Sequence, residues 1–179
     1  MSEGAAMGTG DGGNVGAESA PVAWPVAELD PVRRLRALAS ALPGAVVVER
    51  VIPVPLAELW AIVSDLERAV PASEWHVRSL RITRRDGDRL AAEVRGVLGL
   101  RDRFAIVLRP GWCWMQGRLL VAGMAATPVP GGTRCAWATG LRLPGARALR
   151  PLLRRSLARS LHRLDARLTG RARTGDGQA

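Results

Sequence analysis

Side chains that titrate near neutral pH or bind metals are scarce in this chain of 179 residues. Lysine and tyrosine are absent, and His76, His162, Cys113 and Cys135 are the only histidines and cysteines. Structural zinc sites use such residues a few positions apart, and these four have no such spacing. Acid–base catalysis needs titratable groups held together in a cleft. The composition therefore argues against a metal site, leads us to expect no cofactor, and leaves little for an enzyme to use.

Long apolar runs and export signals are also missing. No run approaches the ~18 residues that a membrane helix needs. No arginine precedes an apolar stretch near the N-terminus, as it would in a signal peptide. Two thiols in such a chain are expected to be reduced core residues rather than a disulfide. We therefore expect a cytoplasmic protein.

Positive charge is concentrated near the C-terminus. All 26 basic residues are arginine, against 16 acidic residues, which gives a formal net charge of +10. Between residues 145 and 179, nine arginines are accompanied only by Asp165 and Asp176, a net of +7. This pattern is compatible with a solvated helix face, with docking on an anionic membrane, or with nucleic-acid binding. Nucleic acid is the least favoured partner, because no recognition motif accompanies the arginines.

The sequence divides into four segments. The glycine-, alanine- and serine-rich N-terminus predicts a disordered tail over residues 1–29. Asp30 as an N-cap and Pro31 at the first helical position predict a short appended helix within residues 30–43. Residues 44–169 are predicted to form the main domain, and residues 170–179 a second disordered tail.

Hydrophobic periodicity within the main domain predicts one strand, two short helices, about six antiparallel strands and a long helix. The first strand covers residues 45–53, and the short helices cover residues 56–63 and 66–70. The six strands are predicted over residues 77–84, 89–98, 101–109, 112–116, 120–127 and 133–143. The final helix runs from Ala146 to about Leu168, with leucines on one face and arginines on the other.

Three sequence features support a family resemblance. The first is the stretch from Val54 to Glu67, with Pro55 opening a helix that holds a central Trp60, followed by Asp65 as the cap of a second helix. The others are residues 130–134 (PGGTR) before the last strand, and the amphipathic helix after residues 143–145 (LPG). With these features, residues 45–168 resemble the START-like (SRPBCC) superfamily, which includes bacterial polyketide cyclase/dehydrase-like members. The resemblance implies an α+β helix-grip fold, with a curved antiparallel sheet of about seven strands wrapped around the long C-terminal helix and a cavity between them.

Alternation along the predicted strands indicates which side chains face that cavity. It places Val94 and Phe104 inward and Glu93 and Asp102 on the outer face, whereas residues 112–116 are apolar on both faces and their register stays undecided. Small inward residues at positions 92, 96, 122 and 126 leave room for a ligand, although tryptophan and methionine side chains filling the space are an alternative. The predicted ligand-binding residues are Trp60, Trp75, His76, Val94, Phe104, Ile106, Trp112, Trp114, Met115, Gln116, Met124, Trp137, Thr139, Leu157 and Leu161.

The predicted function is binding of a hydrophobic small molecule, either a lipid or a polyketide-like metabolite. The resemblance also implies an enzymatic alternative, a polyketide aromatase/cyclase, in which His76 is the candidate general base and Gln116, Arg118 and Thr139 orient the substrate. A second alternative is a lipid-transfer protein that docks on anionic membranes through the arginine face of the C-terminal helix.

Overall fold

The computed structural model describes residues 29–175, with the side chains of Leu98 and residues 171–175 left out. The predicted tail over residues 1–29 lies outside the described residues apart from Leu29, and so do residues 176–179 of the second predicted tail. The predicted helix after Asp30 is present as α1, Pro31–Ser40. Its N-cap is formed as expected, since the Asp30 carboxylate accepts hydrogen bonds from the backbone N–H groups of Val32 and Arg33 at 3.0 and 3.2 Å.

Seven strands form one antiparallel sheet in the order β1-β7-β6-β5-β4-β3-β2. The strands are β1 Val46–Ile52, β2 Val77–Asp86, β3 Arg89–Gly96, β4 Arg101–Arg109, β5 Trp112–Gln116, β6 Leu120–Val129 and β7 Gly132–Leu141. Consecutive strands from β2 to β7 pair through short turns. At the β4–β5 turn, Gly111 has a φ of 70°, and a Cβ there would lie 2.8 Å from the Ala126 carbonyl oxygen, so only glycine fits. Strand β1 closes against β7, which confirms the predicted α+β helix-grip architecture.

Two short helices follow β1, and a long helix ends the described chain. The bounds are α2 Leu56–Val63, α3 Leu66–Ser73 and α4 Arg150–Gly175, with a 3-10 turn at Ala146–Leu149 before α4. Helix α3 continues past Pro71, where the sequence predicted its end, and finishes at Ser73. Helix α4 continues to Gly175, past Leu168, near which the predicted helix ended, and past residue 169, where the predicted domain ended. A single Gly170 does not end a helix, and Thr169 Oγ1 donates to the Asp165 carbonyl at 2.8 Å within the turn.

The inner face of the sheet forms the main core with α2, α3 and α4. Leu90, Phe104 and Ile106 from the middle strands are buried there, together with Leu157 and Leu161 from α4, and alternation predicted the inward position of Phe104. Helix α4 packs chiefly on β1 and β7, and α3 packs on β2. The helical layer is therefore thickest over the two edges of the sheet and leaves space over its middle strands.

The outer face carries a second core, which sequence reasoning did not predict. Helix α1 covers it with Val32, Leu35 and Ala39, all buried against a set contributed by β5, β6 and β7. That set contains Trp112, Ala125, Ala136 and Ala138, with Trp114 at its margin. The two indole rings stack with centroids 6.4 Å apart, and the Arg34 guanidinium lies 5.7 Å from the Trp112 ring centroid. Helix α1 is thus an integral third layer of the domain.

Candidate ligand cavity

A cavity of about 960 Å³ occupies the space between the middle strands and the helices. Its inner wall is largely apolar, as expected of sites for hydrophobic ligands, which typically range over ~300–1,000 Å³. The small residues Ala122 and Gly96 are part of the wall. Larger apolar side chains of the wall are Leu80, Val94, Phe104, Met115, Met124, Trp137, Leu153, Leu157 and Leu164. The cavity therefore lies where the sequence resemblance placed it.

Eight of the predicted ligand-binding residues line this cavity. They are His76, Val94, Phe104, Met115, Met124, Trp137, Thr139 and Leu157. Thr139 Oγ1 donates to the Val121 carbonyl at 3.4 Å, so this hydroxyl is already partnered within the sheet. Ile106 and Leu161 are buried in the same core, but they lie behind the cavity wall.

The other predicted residues lie elsewhere. Trp112 and Trp114 point to the outer face and pack with α1, because Cys113 and Met115 take the inward positions of β5. Gln116 shares their face and is exposed, so it cannot orient a ligand in the cavity. Trp60 packs partly buried at the margin of the main core, and Trp75 is 69% exposed. The sequence could not decide the register of β5, because the partner that covers its second apolar face is the separate helix α1.

A polar cluster lies along the cavity wall where α3 meets α4. His76 Nδ1 is 3.7 Å from Glu74 Oε2, and 22% of the Glu74 side chain is exposed. On the α4 side, Ser160 Oγ and an Arg163 guanidinium nitrogen both donate to the Ser73 carbonyl, at 3.0 and 3.1 Å. Desolvation raises the pKa of Glu74 above its ordinary value, and the nearby His76 and Arg163 charges and the Ser160 hydroxyl oppose this rise.

Glu74 is not among the residues predicted from the sequence. The only local signal is a carboxylate two residues before His76, and its surroundings include Ser160 and Arg163 of α4, which lie more than eighty positions further along the chain. His76 and Glu74 both line the cavity. Together they bring an imidazole and a partly buried carboxylate to the cavity wall, two groups that can exchange a proton with a ligand.

Asp102 was predicted on the outer face of the sheet, and this prediction is wrong. It has the same parity as Phe104 on β4 and lines the cavity. Its Oδ1 accepts from the backbone N–H groups of Arg103 at 2.8 Å and Arg118 at 3.3 Å. Asp102 therefore ties the start of β4 to the β5–β6 loop. Glu93 is on the outer face as predicted, and its Oε1 lies 3.5 Å from Arg103 Nε.

The two cysteines are free and buried in the main core. Burial raises the pKa of Cys113 to about 12. Burial also raises the pKa of Cys135 to about 12, against a weaker lowering by the Trp137 side chain. A thiol with so high a pKa is a poor nucleophile and metal ligand at neutral pH. Among residues 29–175, no three histidine, cysteine, aspartate or glutamate side chains converge as a metal site would require.

No protein-family model matches the chain, and no curated protein sequence matches it. Solved structures do. The di-domain aromatase/cyclase StfQ from the steffimycin biosynthetic pathway matches with a TM-score of 0.56 and 12% identity, over 75% of this chain and 53% of that one. The Zhui aromatase/cyclase from Streptomyces sp. R1128 matches with a TM-score of 0.51 and 12% identity, over 69% of this chain and 94% of that one. A START superfamily protein from Mycobacterium smegmatis matches with a TM-score of 0.50 and 19% identity, over 69% and 98% of the two chains.

The chain has the START-like helix-grip fold. At these identities the likeness establishes the fold alone, and function has to be argued from the cavity. Among the helices of residues 29–175, none has both the length and the apolar character that crossing a bilayer requires.

Proposed function

We propose that this START-like protein binds a hydrophobic small molecule, a lipid or a polyketide-like metabolite, in the cavity between the sheet and α4. The observation that carries the proposal is the apolar cavity of about 960 Å³ over the middle strands. Removing apolar surface from water contributes about 25 cal/mol per Å², so a drug-sized apolar ligand can be held without strong polar contacts. Affinity that arises in this way should depend weakly on salt.

Native mass spectrometry of the purified protein, followed by denaturing extraction, tests the proposal. The expected result is a mass above that of the bare chain and an extracted lipid or aromatic metabolite. If the purified chain is empty, titration with a fluorescent fatty acid reports whether the cavity accepts an apolar ligand. An empty protein that also fails to bind this probe would contradict the proposal.

Filling the cavity from within provides a sharper test. Ala122 lines the cavity on β6, so Ala122→Phe should abolish probe binding and leave the melting temperature unchanged or higher, because the new ring occupies existing space. Ala91→Phe is the matched control, since Ala91 lies on the outer face of β3. If Ala122→Phe unfolds the domain, Val94→Arg is a second variant of the cavity wall, for which probe binding and melting temperature are again compared. Unchanged probe binding in both cavity variants would show that the ligand lies elsewhere.

A cyclase-type enzyme is a second candidate, and the pairing of His76 with Glu74 at the cavity wall favours it. A histidine whose ring nitrogen lies 3.7 Å from a carboxylate can take a proton from an acidic carbon between two carbonyls. That carbon would then attack a further carbonyl of the same molecule to close a ring, the resulting alkoxide would take up a proton, and loss of water would follow. The test is incubation of the native protein with the ligand extracted from the His76→Ala variant. Conversion that disappears in His76→Ala, while binding persists, would support the enzyme. Binding without conversion in the native protein would refute it.

The proposal includes a cytoplasmic location, which the two free, buried thiols support. Secreted domains commonly convert cysteines to disulfides, because their compartments are oxidising. Cys113 and Cys135 instead serve as small apolar residues of the core.

A further inference from the structure

Exposed apolar side chains are concentrated at one end of the sheet. Of the nine large apolar side chains that are exposed in the described part of the chain, six come from the loops at this end or from the turns that begin the C-terminal helix. These six are Trp75, Leu100, Leu119, Leu143, Leu149 and Leu152. Isolated exposed leucines are ordinary, but a cluster of them indicates an interaction site.

Backbone hydrogen bonds join these loops into one surface. The Val97 N–H donates to the His76 carbonyl at 2.9 Å, which links the α3–β2 and β3–β4 loops. The Arg142 N–H donates to the Leu119 carbonyl at 2.8 Å, which links the β5–β6 loop to the segment before α4. The Arg118 N–H bond to Asp102 connects the two pairs. Leu100, Leu119 and Leu143 are both exposed and part of the cavity wall, so the cavity opens within this surface.

Five arginines stand among these apolar residues. They are Arg101, Arg118, Arg142, Arg147 and Arg150, all exposed. None of the five forms an ion pair with any residue in the range 29–175. We call the six apolar residues and these five arginines the mouth surface.

The opposite end of the sheet has a different character. There Asp88 Oδ2 lies 2.6 Å from Arg109 Nε, and the β2–β3 turn carries both Asp86 and Asp88. Val51 is the one large exposed apolar side chain on the strands near that end, within the described residues. Exposed arginines stand there too, such as Arg84 and Arg85 on β2, so the two ends differ in their exposed apolar residues rather than in their arginine content.

We propose that the mouth surface docks on an anionic lipid bilayer. A bilayer offers an apolar layer for tryptophan and leucine side chains directly beneath a layer of phosphates for unpaired arginines. The apolar residues stand on separate loops around an opening rather than along a groove, which suits a fluid surface better than a rigid protein partner. This surface differs from the arginine face of α4, where Arg163 is engaged by Ser73 and Ser160. The inference stands independently of the proposed ligand, since docking requires only the exposed loops.

Binding of the full chain to two kinds of vesicle tests the inference. Cosedimentation should detect binding to vesicles of phosphatidylcholine mixed with phosphatidylglycerol, and little binding to phosphatidylcholine alone. The double variant Arg101→Ala/Arg118→Ala should bind about 25-fold more weakly, because each arginine near an anionic surface is worth about 1 kcal/mol, or about fivefold. Arg84→Ala/Arg85→Ala removes the same charge from the distant end of β2 and should leave affinity almost unchanged.

The apolar part of the surface has its own pair of variants. Leu100→Ser should weaken vesicle binding about tenfold without lowering the melting temperature, since it removes one leucine from the lipid. Val51→Ser is the control, because Val51 is exposed away from the opening.

If the two double arginine variants lose the same vesicle affinity, binding reflects only the net charge of the protein, and the inference is overturned. Absence of vesicle binding would overturn it as well. Concentration-dependent dimerisation in sedimentation velocity that disappears in Leu100→Ser would assign the surface to a second copy of the chain instead.

Discussion

Truncating Leu35 to alanine tests whether α1 is part of the domain. Leu35 has no exposed surface, and it fills the space over Gly123, where an added Cβ would lie 2.6 Å from Leu35 Cδ1. Truncation of a buried leucine costs roughly 2–5 kcal/mol, and the cost is highest where the site cannot collapse. Because Leu35 belongs to the helix and Gly123 to the sheet, the gap left by truncation cannot easily close. We therefore expect Leu35→Ala to lower the free energy of unfolding by about 3 kcal/mol. In a domain of this size, that corresponds to a melting temperature about 6–12 °C lower.

Thermal and urea unfolding, followed by far-ultraviolet circular dichroism, measures the effect. Leu38→Ala is the matched control on the same helix, because Leu38 is 41% exposed and its truncation should cost less than about 0.5 kcal/mol. Below its own melting temperature, the Leu35 variant should bind the fatty-acid probe with unchanged affinity, since α1 and the cavity lie on opposite faces of the sheet. Equal destabilisation by the two truncations, or none by Leu35→Ala, would refute the view that α1 is a packed layer. Loss of probe affinity would refute the separation of the two faces.

Three further predictions follow from the contacts described above. The folded pKa of Glu74 is raised above its ordinary 4.5, so its contribution to stability is present below that pH and is lost as pH rises through the folded pKa. As pH rises above 4.5, the melting temperature of the native protein should therefore fall relative to that of Glu74→Gln. Melting temperatures of the two proteins that change in parallel with pH would contradict this. Cys113 and Cys135 should react with a neutral thiol reagent only on unfolding, because both are buried with pKa values of about 12; rapid labelling of the native protein would show otherwise. Asp30→Ala should lower the free energy of unfolding by about 1 kcal/mol, because it removes the N-cap of α1. Urea unfolding measures the effect, and Asp65→Ala is the control, since the Asp65 carboxylate caps no N–H in the described chain.

The order of elements was predictable because turn signals separate the strands and period-2 alternation marks several of them, although not β5. Alternation also placed Val94, Phe104 and Trp137 on the inner face, since a strand with one polar face has only one register that buries its apolar residues. Asp102 was placed incorrectly because charge was given more weight than parity. Its position follows from Phe104, two residues later on β4. The carboxylate is tolerated inward because backbone N–H groups bind it at the edge of the cavity.

The tryptophans could not be assigned from the sequence alone. Trp112 and Trp114 have the size and apolar character expected of cavity walls, and nothing near them in sequence shows that a helix covers their face. That helix is α1, some seventy positions earlier, and its three buried residues are spaced for a single contact stripe. Glu74 escaped prediction for the same reason, because α4 supplies its surroundings. In both cases an element distant in sequence decides the burial.

The origin of the cavity lies in the placement of the helices. Because α3 lies over β2 and α4 over β1 and β7, no helix within residues 29–175 fills the space above the middle of the sheet, and residues such as Ala122 and Gly96 do not reach across it. The cavity opens at the mouth surface, where Leu100, Leu119 and Leu143 are both exposed and part of its wall, so bulk water can reach it. The space must therefore hold water or a ligand. Water there faces mainly leucine, valine, methionine and aromatic side chains, which offer it few hydrogen bonds. An apolar molecule that displaces this water buries apolar wall surface that folding leaves in contact with water, and the hydrophobic effect favours that burial.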